Sequence, residues 1–479
     1  MVGGVEQIGR PERATIKSSI KIVKREIQTI PFALGALGAL LLFLPDLDLF
    51  AADFRTGPGL LETAFQSDPA TIYNTFNKIA LVIMAICCII TAASWLKRAR
   101  LNLFLGATIA LIVYGYFLQI QVGVPLSAAM TTNALRGLYL MTFATIIGCD
   151  LAKNPNIVTG VALGMLGAAG LRLAYAAYSF FAYGGVQAVE GIPSLAMDGG
   201  ALLLWGFIAA GAGCMATLSY TRRDFMRCAC FLLVMAVFLT GVAASFRRTA
   251  MLLLIGNLGL GLMIMFWFRG QLLEGIKWVG LVLVSGLLGM YLVMVATFGL
   301  TTTQERILSL TGGGITEFSS SNNGYLDDQA ALFESLVFSR FAGVGPGMDY
   351  GVRRVIDDYV FEGVPPLHTG GSELWASFGL AGMAYHLLIL VWMPVSCIRA
   401  YRRHPVKGTE VFVALAAGEF LFIIVWPFAP PFYISPQSSL LTGFCLGYLI
   451  HIAGSSDLGS RSRREWLADP SRGSVEAAR

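Results

Sequence analysis

The sequence predicts an all-α polytopic membrane protein: about twelve transmembrane helices and one large loop outside the cytoplasm containing short helices. Three observations predict it. Of 479 residues, 56% are hydrophobic and 13% charged, against about 45–50% and about 25% in soluble domains. Twelve stretches stay apolar over the roughly 20 residues that cross a bilayer. Lysine and arginine fall almost entirely in alternate loops, which sets an orientation. This composition excludes a water-soluble enzyme.

The spans are read at 30–50, 78–96, 101–121, 133–151, 157–183, 197–219, 226–245, 249–268, 275–298, 373–398, 409–430 and 437–454. The first is no cleaved leader, because it ends in Pro45-Asp46-Leu47-Asp48 without a small-residue cleavage site. Ahead of it, residues 1–29 form a basic tail. Ile16, Ile20, Val23 and Ile27 recur there at helical spacing with lysines between them, as suits a helix on an anionic leaflet. Basic residues then follow spans 2, 4, 6, 8, 10 and 12: Arg98 and Arg100, Lys153, Arg222 and Arg223, Arg269 and Lys277, Arg402 and Arg403, Arg461 and Arg463. The opposite loops carry almost none. Both termini are therefore expected in the cytoplasm, and the polar stretch 455–479 is read as a mobile tail.

One pair breaks the charge rule. Arg247-Arg248, between spans 7 and 8, falls on the outer face. Snorkelling to headgroups is one reading; meeting an anion is the other. Arg136 and Arg172 lie in or near spans 4 and 5, where charge is costly and often functional.

Spans 9 and 10 are separated by the long loop 299–372, also on the outer side. Loops of this length are functional or disordered, and helical periodicity over 325–340, with Asn322 and Asn323 able to cap it, argues for structure. Residues 349–360 are a second helical candidate, in which Arg353–Asp357 and Arg354–Asp358 stand i,i+4. Gly343-Val344-Gly345-Pro346-Gly347 reads as a tight turn; without Gly-Lys-Ser/Thr it is no phosphate loop. His368 precedes span 10, for which Ser372 is the expected N-cap. Its position favours an anion nearby, and an imidazole suits proton transfer near neutral pH. His386 and His451 lie within spans and are read as packed; His404 is solvated. The eight cysteines form no CxxC pair, so neither a disulfide framework nor a zinc site is expected.

Taken in order, these segments resemble the O-antigen ligase/polymerase superfamily, which has ten to fourteen spans and one large late periplasmic loop. Arg247-Arg248-Thr249-Ala250 resembles the family's arginine stretch opening a middle span. Gly343-Val344-Gly345-Pro346-Gly347 resembles its glycine turn, and His368 with Gly379-Leu380-Ala381-Gly382 its histidine stretch entering the next span. Thr369 stands where the family has Asn, and Ser377 where an acidic residue is frequent. Asn323-Gly324 occupies the place of the family's loop arginine, leaving Arg306 and Arg340 as substitutes.

The resemblance implies a metal-independent glycosyltransferase of the bacterial inner membrane, using no cofactor. Its donor would be an undecaprenyl-diphosphate-linked oligosaccharide, and its acceptor another glycan (a polymerase) or lipid A core (a ligase). Membrane lipids and a chain-length regulator are the further partners expected, and no nucleic acid. Arg248 would clamp the diphosphate, Arg247 assisting, since guanidinium binds phosphate bidentately and keeps its charge. His368 would accept the acceptor's proton or position the acceptor, with Glu373 a lesser candidate for orienting it; Arg172 would either line the lipid-diphosphate cavity or simply pair or snorkel. A transporter or flippase is the competing class; it would show repeated halves and broken helices, and neither is read here. A structural subunit of an export complex would need no outer arginine pair.

Overall fold

The computed structural model describes residues 30–40, 98–121, 133–183, 186–189, 192–194, 259–268, 272–308, 341–346, 353–356, 359–362, 370–403, 409–425 and 436–468, with isolated positions elsewhere. Helices dominate the described residues: α1 (Ile30–Leu40), α2 (Ala99–Gln121), α3 (Asn133–Leu151), α4 (Pro155–Tyr183), α5 (Gly259–Phe268), α6 (Leu272–Phe298), α7 (Leu300–Leu308), α8 (Gly370–Tyr385), a π-helical turn (His386–Trp392), α9 (Met393–Arg403), α10 (Glu410–Val425) and α11 (Pro436–Ala468). Two helical stretches, Ala99–Gln121 and Leu374–Arg403, are long and apolar enough to cross a membrane.

The core is built on close backbone approach. α11 packs along α3, and α9 and α10 pack on α11 in turn. A Cβ on Gly443 would lie 2.5 Å from the Met141 carbonyl oxygen, and one on Gly447 would strike that of Thr145. Opposite them, a Cβ on Gly148 would lie 2.9 Å from the Phe444 carbonyl oxygen. This is a small-xxx-small crossing, in which missing side chains let two helices touch backbone to backbone. α1 meets α4 by the same device: Gly160 and Gly164 face the carbonyls of Phe32 and Ala36. Gly447→Ala is expected to lower the melting temperature of the purified protein, at a cost of about 1–3 kcal/mol, because the obstructing atom is backbone and cannot rotate away.

Several expectations are corrected. Within the stretch read as a helix at 349–360, the described residues are strand: β3 (Arg353–Ile356) pairs antiparallel with β4 (Tyr359–Glu362), setting Arg353 opposite Glu362. Val355, Ile356, Tyr359, Val360 and Phe361 favour strands. A second hairpin pairs β1 (Val186–Val189) antiparallel with β2 (Ile192–Ser194), after α4 in the chain. The polar C-terminal stretch opens as helix, since α11 runs on to Ala468. Arg, Glu, Leu and Ala propagate it, Asp457 and Arg461 stand i,i+4, and Pro470 stops it. Ser372 is inside α8, which begins at Gly370. Finally, span 10 is broken: Gly379 adopts φ 57°, ψ −140°, outside the helical region.

Candidate functional site

The break at Gly379 has a counterpart. Residues 341–346 form a turn, with Gly343 at φ 83° and Gly345 at φ 101°. The turn lies against the break so closely that a Cβ on Gly343 would be 2.6 Å from the Gly379 nitrogen, and one on Gly379 would strike the Phe341 carbonyl. Gly343, Val344, Gly345 and Pro346 are all buried.

Backbone groups freed by the break find partners in the turn. The Val344 N–H donates to the Ala376 carbonyl (2.8 Å), the Gly345 N–H to the Ser377 carbonyl (3.0 Å), and the Leu380 N–H to the Phe341 carbonyl (2.9 Å). Irregular backbone buried within protein is tolerated where its polar groups are paired in this way. Side chains of α2 close the arrangement from the other side. The Tyr114 hydroxyl donates to the Ala342 carbonyl (2.7 Å) and the Gln119 amide Nε2 to the Pro346 carbonyl. Gly115 leaves room between them: its Cβ would be 2.8 Å from Phe378 and 3.3 Å from Pro346. We call the assembly the glycine clasp.

Deeper along the same pair of helices, Thr108 shares a hydrogen bond with Tyr385 (3.0 Å), both buried. His386 opens the π-helical turn and is buried. At the opposite end of the bundle, the Arg98 guanidinium donates to the Cys149 carbonyl (3.0 Å), Lys153 pairs with Asp150, and the Arg402 guanidinium sits 4.1 Å above the Trp267 ring.

Of the residues singled out from sequence, Arg172 is on α4, Arg306 on α7 and Glu373 in the first turn of α8, all in helical backbone. Arg247, Arg248, Arg340 and His368 lie outside the described residues, as do the basic tail and the helix expected at 325–340. The two glycine segments, Gly343–Pro346 and Gly379–Gly382, are brought together. Gln119 and Tyr114 were not singled out; the signal for Gln119 is an amide near the end of the largely apolar span 3. No family model matches the chain, and no curated protein matches it.

Proposed function

We propose that the protein is a twelve-span inner-membrane glycosyltransferase that polymerises a surface polysaccharide. It moves an oligosaccharide from undecaprenyl diphosphate to an acceptor hydroxyl on the periplasmic side. The acceptor oxygen attacks the anomeric carbon and inverts it. The bond to the diphosphate breaks, and undecaprenyl diphosphate leaves with the electron pair. Arg248, aided by Arg247 and by Arg306 or Arg340, stabilises the charge developing on that leaving group. His368 takes the acceptor's proton, and Glu373 orients it. Arg172 lines the path of the lipid diphosphate.

The observation that carries this reading is the glycine clasp. Two of the three segments behind the resemblance are distant in sequence yet in hydrogen-bonded contact. The chain between them carries His368, two residues ahead of Gly370, where α8 starts.

The membrane setting is supported by outward apolar faces. Ile109, Val113, Phe117 and Ile120 on α2, and Leu281, Val284, Leu288 and Leu292 on α6, are exposed. Stripes of this size seek lipid or protein. The sidedness is supported by Arg98 with Cys149 and Arg402 with Trp267, contacts that join helix ends assigned to the cytoplasm.

The test is a reaction of purified protein with a defined undecaprenyl-diphosphate oligosaccharide in EDTA. Elongated lipid-linked product, undiminished by the chelator, is expected. Transfer that starts only when lipid A core is added makes the protein an O-antigen ligase instead. The break in span 10 also bears on a transporter or flippase, whose broken helices offer free backbone groups to cargo. Here the Ala376 and Ser377 carbonyls are already bonded to the clasp, which favours the enzyme. Lipid-linked glycan crossing liposomes without elongation would favour the transporter.

A further inference from the structure

Two polar atoms at the clasp have no hydrogen-bond partner. One is the Gln119 amide oxygen Oε1, on a residue only 1% exposed; the other is the indole Nε1 of Trp375. They flank one turn. Gln119 holds its Pro346 end, and Trp375 packs edge-on against Phe341 at the other, ring centroids 6.4 Å apart.

A buried amide oxygen left unpaired costs about 1–3 kcal/mol, and buried indole N–H groups normally find an acceptor. Rotating the Gln119 amide brings no relief. It would turn Oε1 toward the Pro346 carbonyl, acceptor against acceptor, and proline has no N–H to offer instead. The vacant roles are complementary: one acceptor and one donor.

We infer that Gln119 and Trp375 are a hydroxyl-binding pair that holds a sugar unit of the glycan at the clasp. A sugar hydroxyl both donates and accepts, so a single class of ligand satisfies both atoms. Phe341, 55% exposed, and the indole beside it add aromatic surface for the C–H faces of a pyranose. Because Oε1 is buried, sugar binding is coupled to a shift of the Pro346 end of the turn. The inference deepens the glycan reading above, on which the choice of sugars rests.

The test uses full-length protein in nanodiscs, with methyl glycosides of glucose, galactose, mannose, rhamnose and N-acetylglucosamine as probes. Binding is followed by saturation-transfer NMR. The wild type is expected to bind at least one probe, and Trp375→Phe and Gln119→Met each to weaken it fivefold or more. Trp375→Phe removes a donor that has no partner, so its melting temperature is expected to stay at the wild-type value or rise. Gln119→Met also loses the Pro346 bond and is expected to melt lower. Trp375→Phe is therefore the deciding variant.

Three results would overturn the inference: no probe binding the wild type, so that the two atoms hold water only; Trp375→Phe binding like the wild type; or Trp375→Phe losing sugar together with its thermal stability. Failure of the glycosyltransferase reading looks different. There, Trp375→Phe loses probe binding in a protein that makes no transfer product, and the hydroxyl-binding pair stands.

Discussion

Replacing Arg248 with Ala is expected to slow glycan transfer by about 100- to 1,000-fold, the usual loss when a fixed donor to a developing anion is removed. Protein abundance should stay normal, because the residue is assigned to the outer face and not to a packed core. The consequence in cells is loss of long chains with the lipid-linked unit accumulating. Arg248→Lys keeps the charge but not the fork and should recover only part of the rate. His368→Ala removes the proton acceptor and should cost about 100- to 10,000-fold. Chain-length analysis beside immunoblotting of the same membranes checks all three. Normal chains in Arg248→Ala, at wild-type abundance, would remove the diphosphate clamp from the account.

The second large effect concerns the clasp. Gly379→Val is expected to prevent the turn from seating. At φ 57°, ψ −140° a residue with a Cβ carries backbone strain on the order of 1–3 kcal/mol. Its Cβ would also occupy the space of the Phe341 carbonyl. Gly343→Val meets the same break from the other side, against Phe378 and the Gly379 nitrogen. Because both substitutions strain one contact, the double variant should lose less stability than the two single losses added together. Thermal melting of the four proteins reads this directly. Strict additivity would mean that the two glycines do not share an interface.

Among the described residues, much of the helical layout was legible. Spans read at 101–121 and 133–151 correspond to Ala99–Gln121 and Asn133–Leu151, because long apolar runs bounded by polar residues leave little freedom in where a helix starts and stops. What could not be read is how helices meet. Gly443 and Gly447 read as ordinary glycines of an apolar run until α3 lies against them, since a crossing depends on a partner far away in sequence. The break at Gly379 is similar: Phe-Gly-Leu is compatible with an unbroken membrane helix, and only the turn at 341–346, bonding to Ala376, Ser377 and Leu380, makes the broken form affordable. The hairpin at 353–362 was missed for a different reason. Arg-x₃-Asp spacing suits a helix and competes with the strand preference of the β-branched and aromatic residues around it.

For the site, the glycine turn and the Gly379 stretch were both singled out, and they meet. Gln119 and Trp375 escaped notice because one polar group in an apolar run carries no motif. Arg247, Arg248 and His368 are tied to the clasp only through the chain and the proposed chemistry.

Proximity of Arg248 and His368 is thus the measurement that bears most directly on the account. Arg248→Cys and His368→Cys would be combined in a protein whose eight native cysteines are replaced, then treated with a short bifunctional thiol reagent added from the periplasmic side. Efficient intramolecular cross-linking, blocked by an undecaprenyl-diphosphate oligosaccharide, is the predicted result. Two thiols that label from opposite sides of the membrane, or that never join with or without lipid, would contradict it.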